Sequence, residues 1–432
     1  MSLTTGKVAE VLFDKTMESY EAQMQMLPLC LFQQPEAGAM QNAGNVIWRP
    51  VQQHAPILTG WDLSNQEQNI IEQTYPAILG TPKNDFVKLR ADDMRDMRFW
   101  ERRGEESGRQ QATELNKSLA QAIATQGAIF YRSSADSGYD FIGEAQAIMN
   151  ERQLKNTGRI FMLNDRDNLK FGSDLAGRQT LQGRPEQTWA KGQIGANVAE
   201  FDVYTGSFLP NLVGGATTGA VVDGDHTFAP EGGSVDTATG IVTNVDWRVA
   251  TITIDDSTGL NVGDKIKFVN DPGVTDVPVN AVGLADKTDT GQPMTFTIVA
   301  VPDGTSITIY PKPIALNDTV NLDDTELAYA NVDTQILDGA EVVRVNTDAS
   351  AKTNIFWDKG AVEVLGGTIP AKLFSQYAGF KVVSSTMSDG QTLYMVYDGN
   401  IEDMSFRFRI FVWYGITVWN PSNCGVAVSY AA

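Results

Sequence analysis

Two histidines, His54 and His226, are the chain's only imidazoles. Either could act as a general base, but His54 sits beside Ala55-Pro56 and His226 lies in an acidic, glycine-rich stretch. No Gly-x-Ser-x-Gly elbow, His-Glu-x-x-His pair, phosphate-cradling Gly-Lys-Ser/Thr loop or Cys-x-x-Cys pair accompanies them. Catalysis needs such constellations, so no enzyme, cofactor or metal is expected. Asn164-Asp165-Arg166-Asp167-Asn168 and Asp223-Gly224-Asp225 offer oxygens to calcium. Neither has the full ligand spacing with a bidentate glutamate, and helix capping and turns account for the same residues. Arg95, Arg98, Arg102 and Arg103 could touch phosphate. Asp92, Asp93, Asp96, Glu101, Glu105 and Glu106 nearly cancel them, which reads as a salt-bridged helix face, solvated or between subunits.

These residues sit on a chain whose charge is uneven. Its 432 residues carry a net charge of −20, too acidic to bind nucleic acid by neutralising phosphates. Residues 220–345 hold 20 acidic against 6 basic side chains, so 126 residues carry −14 of the total. A separate module is expected there, in a chain long enough for two or three domains. Its apolar-polar alternation predicts short strands at 249–254, 265–269, 294–301 and 306–310. Between the last two, Pro302-Asp303-Gly304 predicts a tight turn with glycine in the left-handed conformation. Together they describe an inserted antiparallel β-barrel or sandwich.

Elsewhere the pattern is mostly helical. Residues 1–30 predict an amphipathic helix, with Val8, Leu12, Met17, Met24 and Leu27 as its apolar stripe and Glu10, Asp14, Glu18 and Glu21 on another face. Residues 31–83 predict an extended excursion with little core, on which Trp48 and Trp61 need a neighbouring subunit to pack against. From Asn84 to Gln126 a helix is predicted, capped by Asp85 or Asp92 and bent or broken at Gly104 and Gly108. Trp100, in that stretch, is grouped with Trp48 and Trp61 as an exposed aromatic. A second helix is predicted at 140–155, and strands at 159–163 and 405–413. No stretch reaches the ~20 apolar residues of a membrane span, and MSLTTGKVAEVLFDK lacks the pattern of a secretory signal. Cys30 and Cys424, far apart in sequence, fit buried thiols in a cytoplasmic protein.

Eight strings occur in order along the chain: NVIWRPV (45–51), GWDL (60–63), NDFVKLRADDMRD (84–96), GDKIKF (263–268), PKPIAL (311–316), AYANV (328–332), TNIFW (353–357) and WYG (413–415). In identity, order and spacing the chain resembles the coat-protein family of Salmonella phage P22 and its short-tailed relatives, with large divergence in 97–260. The resemblance implies an α+β, Hong-Kong-97-type capsid fold. Its parts would be an N-terminal arm at 1–30, an extended loop at 31–83 and a spine helix of the peripheral domain at 84–130. The axial domain would occupy 131–219 and 346–383, interrupted by the β-barrel at 220–345, with peripheral C-terminal strands at 384–432. It further implies a virion shell of pentamers and hexamers, usually of T=7 symmetry. Such a shell assembles in the bacterial host cytoplasm with a scaffolding protein, packages DNA through a portal ring and then expands.

A shell subunit touches several neighbours at once, so each contact can be weak and closure makes them cooperative. Trp48, Trp61, Arg102 and Arg103 are the expected intersubunit contacts. Glu10, Asp14 and Glu18 are expected to receive a basic helix of the scaffold through salt-sensitive pairs. The acidic balance suits a container that confines DNA without binding it. Two other classes remain open on the residues alone: an acidic β-rich surface adhesin or carbohydrate-binding protein, and a hydrolase with an unrecognised site.

Overall fold

The computed structural model describes residues 5–35, 44–51, 54–57, 60–61, 71–90, 97–133, 138–177, 195–215, 219–231, 233–235, 242–347, 350–369, 375–376, 381–400 and 405–429. Helices α1 (Thr5–Gln23), α2 (Met97–Gln126), α3 (Tyr139–Glu151) and α4 (Asp165–Gly177) accompany several β-sheets, an α+β composition. The chain divides into two compact units. One comprises residues 1–47, 77–119 and 362–417; the other comprises 48–76, 120–361 and 418–432.

In the first unit, α1 buries Leu12, Phe13, Thr16 and Tyr20 and exposes Glu10, Asp14 and Glu18. The acidic face is as predicted, but of the predicted apolar stripe only Leu12 is buried within the helix. Met17 is half-buried, and the Val8 side chain lies outside the described residues. The helix stops at Gln23, so buried Met24 and Leu27 lie beyond it, where a separate short turn, Leu27–Leu29, takes up Pro28. A four-stranded antiparallel sheet runs in the order Lys381–Thr386, Thr392–Asn400, Ser405–Val412, Lys83–Arg90. Residues 83–90 are therefore a strand, not the start of the spine helix. Each of the eight pairs with the Ser405–Val412 strand, and that ladder outweighs the local helix signals. Helix α2 begins only at Met97, so its proposed cap Asp92 lies outside the described residues. On α2, Trp100 is 1% exposed and packs its ring against Phe406 and Phe408, with centroids 6.1 and 5.9 Å away. It is a core residue of its own unit, contrary to the reading of an exposed aromatic. Its charged sequence neighbours hide this, because one apolar ring on the inner face of a helix suffices.

The second unit is built on a mixed sheet in the order Ile129–Ser133, Cys424–Ser429, Ala351–Asp358, Arg159–Leu163, Phe201–Thr205, Gly195–Val198. The last strand of the chain thus pairs with 351–358 and 129–133, whereas the sequence reading placed 384–432 together in the peripheral domain. Phe141, Ile142, Ala145 and Met149 of α3 pack into a core with Phe161, Phe201 and Phe356 from the sheet. Asn164 caps α4, its Oδ1 accepting from the Arg166 and Asp167 amides at 3.0 Å each, as the capping reading of 164–168 expects.

The same unit contains an antiparallel sheet in the order Ala220–Val221, Glu341–Arg344, Lys265–Asn270, Phe296–Asp303, Ser306–Tyr310, Ala250–Thr253. Its two outer strands meet. Asp223 N donates to Thr253 O (3.0 Å) and Asp255 N to Val221 O (2.9 Å), beside a Val222–Ile254 bridge. The side chains it encloses, including Ile252, Phe268, Phe296 and Ile307, form a cluster drawn entirely from 220–342. The hairpin at 303–306 is stapled by the Asp303 carboxylate, which accepts from Thr305 N (2.9 Å) and Ser306 Oγ (2.8 Å). Gly304 is absent from the left-handed region, so the aspartate side chain, rather than glycine's freedom, makes this turn.

Candidate assembly surfaces

The acidic face of α1 follows from helical geometry. Residues 10, 14 and 18 stand four apart and so line one stripe. Like charges at that spacing destabilise a helix by a few tenths of a kcal/mol per pair. Lys15 offsets part of this, donating to Glu18 Oε2 at 2.6 Å, an exposed pair that raises the Lys15 pKa. Glu10 and Asp14 have no ion pair among the described side chains. Of the three expected contacts, Glu10 and Asp14 remain open to solvent and Glu18 is shared with Lys15.

What holds this face outward is the crossing of α1 over α2. A Cβ on Gly104 would lie 2.7 Å from Leu12 O, and one on Gly108 2.9 Å from Tyr20 N. Both glycines let the helix backbones meet, and Ser19 Oγ donates to Glu105 O (2.7 Å) across the contact. Helix α2 runs unbroken through both, so they are docking positions, not the bends predicted. Their four-residue spacing was visible in the sequence; the helix they receive was not. Beside the crossing, Lys15, Glu18, Arg102, Glu105, Glu106 and Arg109 line a groove of about 390 Å³. Arg109 binds Glu106 through both nitrogens, at 3.0 Å from Nε and 2.8 Å from Nη2. Arg102 stays exposed at the groove. Arg103 instead reaches Asp85 of its own chain, a partly buried pair. Arg95, Asp92, Asp93 and Asp96 lie outside the described residues.

In the second unit, Trp48 is 38% exposed and Trp61 fully so, with Ile57 nearby in sequence at 94%. Trp48 belongs to the strand Val46–Pro50, which with Thr74–Ile78 forms a two-stranded ribbon, and Val51 N donates to Gln73 O (2.9 Å) beyond it. Large apolar side chains left in water on an extended excursion are what a neighbouring subunit would cover.

The groups considered for chemistry are dispersed. His226 Nε2 accepts from Thr253 N (3.2 Å) and its ring stacks on Phe228. His54 lies edge-on to Tyr329 (5.1 Å), where burial lowers its pKa. Asp225 and Asp338 staple loops, each accepting from a backbone amide at 2.8 Å. Among the described residues no group of three or more His, Cys, Asp or Glu side chains is placed to hold a metal ion, and no helix is long and apolar enough to cross a membrane. Cys30 and Cys424 are both buried.

Exposed carboxylates on α1 and the exposed rings of Trp48 and Trp61 are surfaces available for contact. Solved structures similar to this chain include phage structures. One titled Mycobacterium phage Che8 is 10% identical, with a TM-score of 0.43, over 94% of this chain and 90% of that one. The capsid structure of the cyanophage P-SCSP1u is 10% identical, with a TM-score of 0.46, over 94% and 87%. The mature capsid of bacteriophage PhiM1 is 8% identical, with a TM-score of 0.44, over 95% and 88%. The family model described as P22 coat protein, gene protein 5, matches residues 1–429. The chain belongs to the P22 coat protein family. It is a major capsid protein of a tailed phage, a structural subunit that joins copies of itself in the virion shell.

Proposed function

We propose that this capsid subunit assembles with a separate scaffolding protein that docks a basic helix on the outer face of α1. The carrying observation is the exposed stripe of Glu10, Asp14 and Glu18, held outward by the close crossing of α1 on Gly104 and Gly108. A carboxylate stripe that repels itself on one helix is relieved when a cationic partner arrives, and such rim pairs govern encounter rate and salt dependence. The shell would be of T=7 symmetry, built from pentamers and hexamers in the host cytoplasm, with a portal ring admitting DNA. Its net charge of −20 supports holding that DNA by confinement, without specific binding or catalysis. Trp48, Trp61, Arg102 and Arg103 are proposed to meet neighbouring subunits, Arg103 while sharing its charge with Asp85. The meeting strand ends at 221–223 and 253–255 and the self-contained core support reading 220–345 as an inserted barrel.

The test is scaffold incorporation by Asp14→Ala at low and high salt. A several-fold loss at low salt is expected, with the unmodified chain approaching the variant as salt shortens the Debye length below ~8 Å. Equal incorporation by both proteins at both salts would remove the docking site.

A further inference from the structure

We propose that His54 and Tyr329 form an acid-released latch on the extended excursion of the second unit, closed at neutral pH and opened when the His54 ring takes up a proton. The latch goes beyond the assembly role and involves neither a scaffold nor a neighbouring copy. Its centre is one hydroxyl. Tyr329 Oη accepts from the His54 amide (3.3 Å) and donates to Ile71 O (3.1 Å), so a single side chain ties together the two limbs of the excursion. The His54 ring completes the contact, edge-on to the Tyr329 ring with centroids 5.1 Å apart. The limb that returns at Ile71 has other fastenings. Trp247 N donates to Thr74 O and Thr74 Oγ1 to Val245 O, both at 3.1 Å, and Ile71 packs on the cluster of Ile314, Leu322 and Tyr329. The limb that leaves is held more thinly, by Val51 N on Gln73 O (2.9 Å) and by Tyr329, and Ile57 beyond them is 94% exposed. Loss of the His54 contact therefore frees residues 54–57 and leaves the other limb in place.

The surroundings of the ring set the direction. Burial lowers the His54 pKa from 6.5, and the Lys287 ammonium lowers it further. Lys287 is pinned beside the latch, its Nζ donating to Ala330 O (3.0 Å), next to Tyr329 in the chain. Asp324 borders the same cleft as His54 and Lys287, while Lys155, Lys312 and Asp358 border the adjoining cleft that His54 also lines. Asp323 and Glu326 are occupied at the start of their short helix, each accepting from the other's backbone amide (2.8 and 2.9 Å). No carboxylate offsets the lowering at His54. The freed ring, back in water, binds a proton more readily than the latched one. Falling pH therefore favours opening from 6.5 down to the latched value, by at most ~10-fold per pH unit. Above 6.5 both forms are neutral and the latch stays shut.

The test is hydrogen–deuterium exchange of the full-length soluble subunit at about pH 7.5 and about pH 5, corrected for the intrinsic pH dependence of exchange. In the unmodified chain a peptide spanning 51–57 should exchange roughly 3–10-fold faster at the lower pH, while one spanning 73–78 stays protected. His54→Phe keeps an aromatic edge against Tyr329 but does not titrate, so its 51–57 peptide should exchange slowly at both pH values. Tyr329→Phe keeps the ring and removes the hydroxyl, so the same peptide should exchange fast at both. Protection of the 306–310 strand reports that each variant is folded, and if Tyr329→Phe is not, His54→Phe decides alone. An unmodified chain with no pH response at 51–57 overturns the latch. So does a pH response that survives in His54→Phe, which would belong to His226 or to the carboxylates, or unchanged protection in folded Tyr329→Phe.

Discussion

Lys265 Nζ donates to the carbonyl oxygen of Gly127 across 2.5 Å, with both groups buried in the second unit. Gly127 directly follows α2, so the lysine sits at the negative end of that helix. Thr297 Oγ1 donates to the same carbonyl (2.6 Å) and accepts from Lys265 (2.9 Å), while Thr295 Oγ1 grips Ala128 O (2.7 Å). Three side chains from the 265–270 strand and from the 295–297 region of the antiparallel sheet thus hold two successive carbonyls after the helix. Burial pushes the Lys265 amine down to about 7, against the opposing pull of Cys424 and Asp264.

That shift fixes a pH dependence. Burial holds the folded amine at about 7 and the unfolded one keeps its ordinary value of 10.5, so between these limits the unfolded chain binds more protons. Stability from this site therefore rises with pH from about 7 to 10.5, by at most ~1.4 kcal/mol per pH unit. Below 7 both states are protonated and the dependence vanishes. Lys265→Met, with Thr297 still bonded to Gly127, should unfold in urea with a visibly flatter pH response than the unmodified chain over pH 7–9.5. Parallel pH curves for the two proteins would show that Lys265 is not the titrating group.

Gly108→Ala tests the helix crossing. On a solvent-facing helix this change gains up to ~1 kcal/mol. Here the added methyl meets the Thr16 carbonyl and comes within 2.9 Å of Tyr20 N, so α1 must move away. A loss of about 1–3 kcal/mol is expected, as for overpacked cores, with cleavage after α1 by a protease becoming faster. A melting temperature at or above the original would mean that α1 does not rest on this glycine.

The residues explain what could and could not be read without coordinates. The Ser306–Tyr310 strand is legible to the residue because alternation and a turn bound it on one side, and α1 is legible because its acidic stripe is local. The spine helix is displaced by a dozen residues because Lys83–Arg90 owes its strand state to Ser405–Val412, over 300 positions away. Lys265 gave no usable signal either. In an alternating strand a lysine beside Ile266 reads as outward-facing, and only the helix end brought against it by the fold makes burial tolerable. Among the residues proposed for assembly, the Glu10-Asp14-Glu18 stripe is local, and its exposure was readable. The glycines that anchor it act through a partner helix, and were read as bends.

A buried polar knot in the second unit permits the sharpest stability test. Asp167 Oδ2 accepts from Asn164 Nδ2 and Asn354 Nδ2, both at 2.7 Å, while Asn354 Oδ1 accepts from Asn164 N at 2.8 Å. Asn354 is 0% exposed and lies mid-strand, and Asp167 is in the first turn of α4, so the knot ties that helix to the sheet. Asn354→Leu removes a donor from a buried carboxylate and an acceptor from a buried amide. The change should cost about 1.5–3 kcal/mol, the range for a hydrogen bond to a charged group, since Asp167 keeps its bond from Asn164 Nδ2. Asp167→Leu alone should also destabilise, because it leaves Asn354 Nδ2 without that acceptor. With both replaced, no carboxylate is left to satisfy, so the double variant should recover at least ~1 kcal/mol relative to the sum of the single losses. Urea unfolding of the four proteins closes this cycle. Strict additivity would show Asn354 and Asp167 to be independent neighbours, not members of one network.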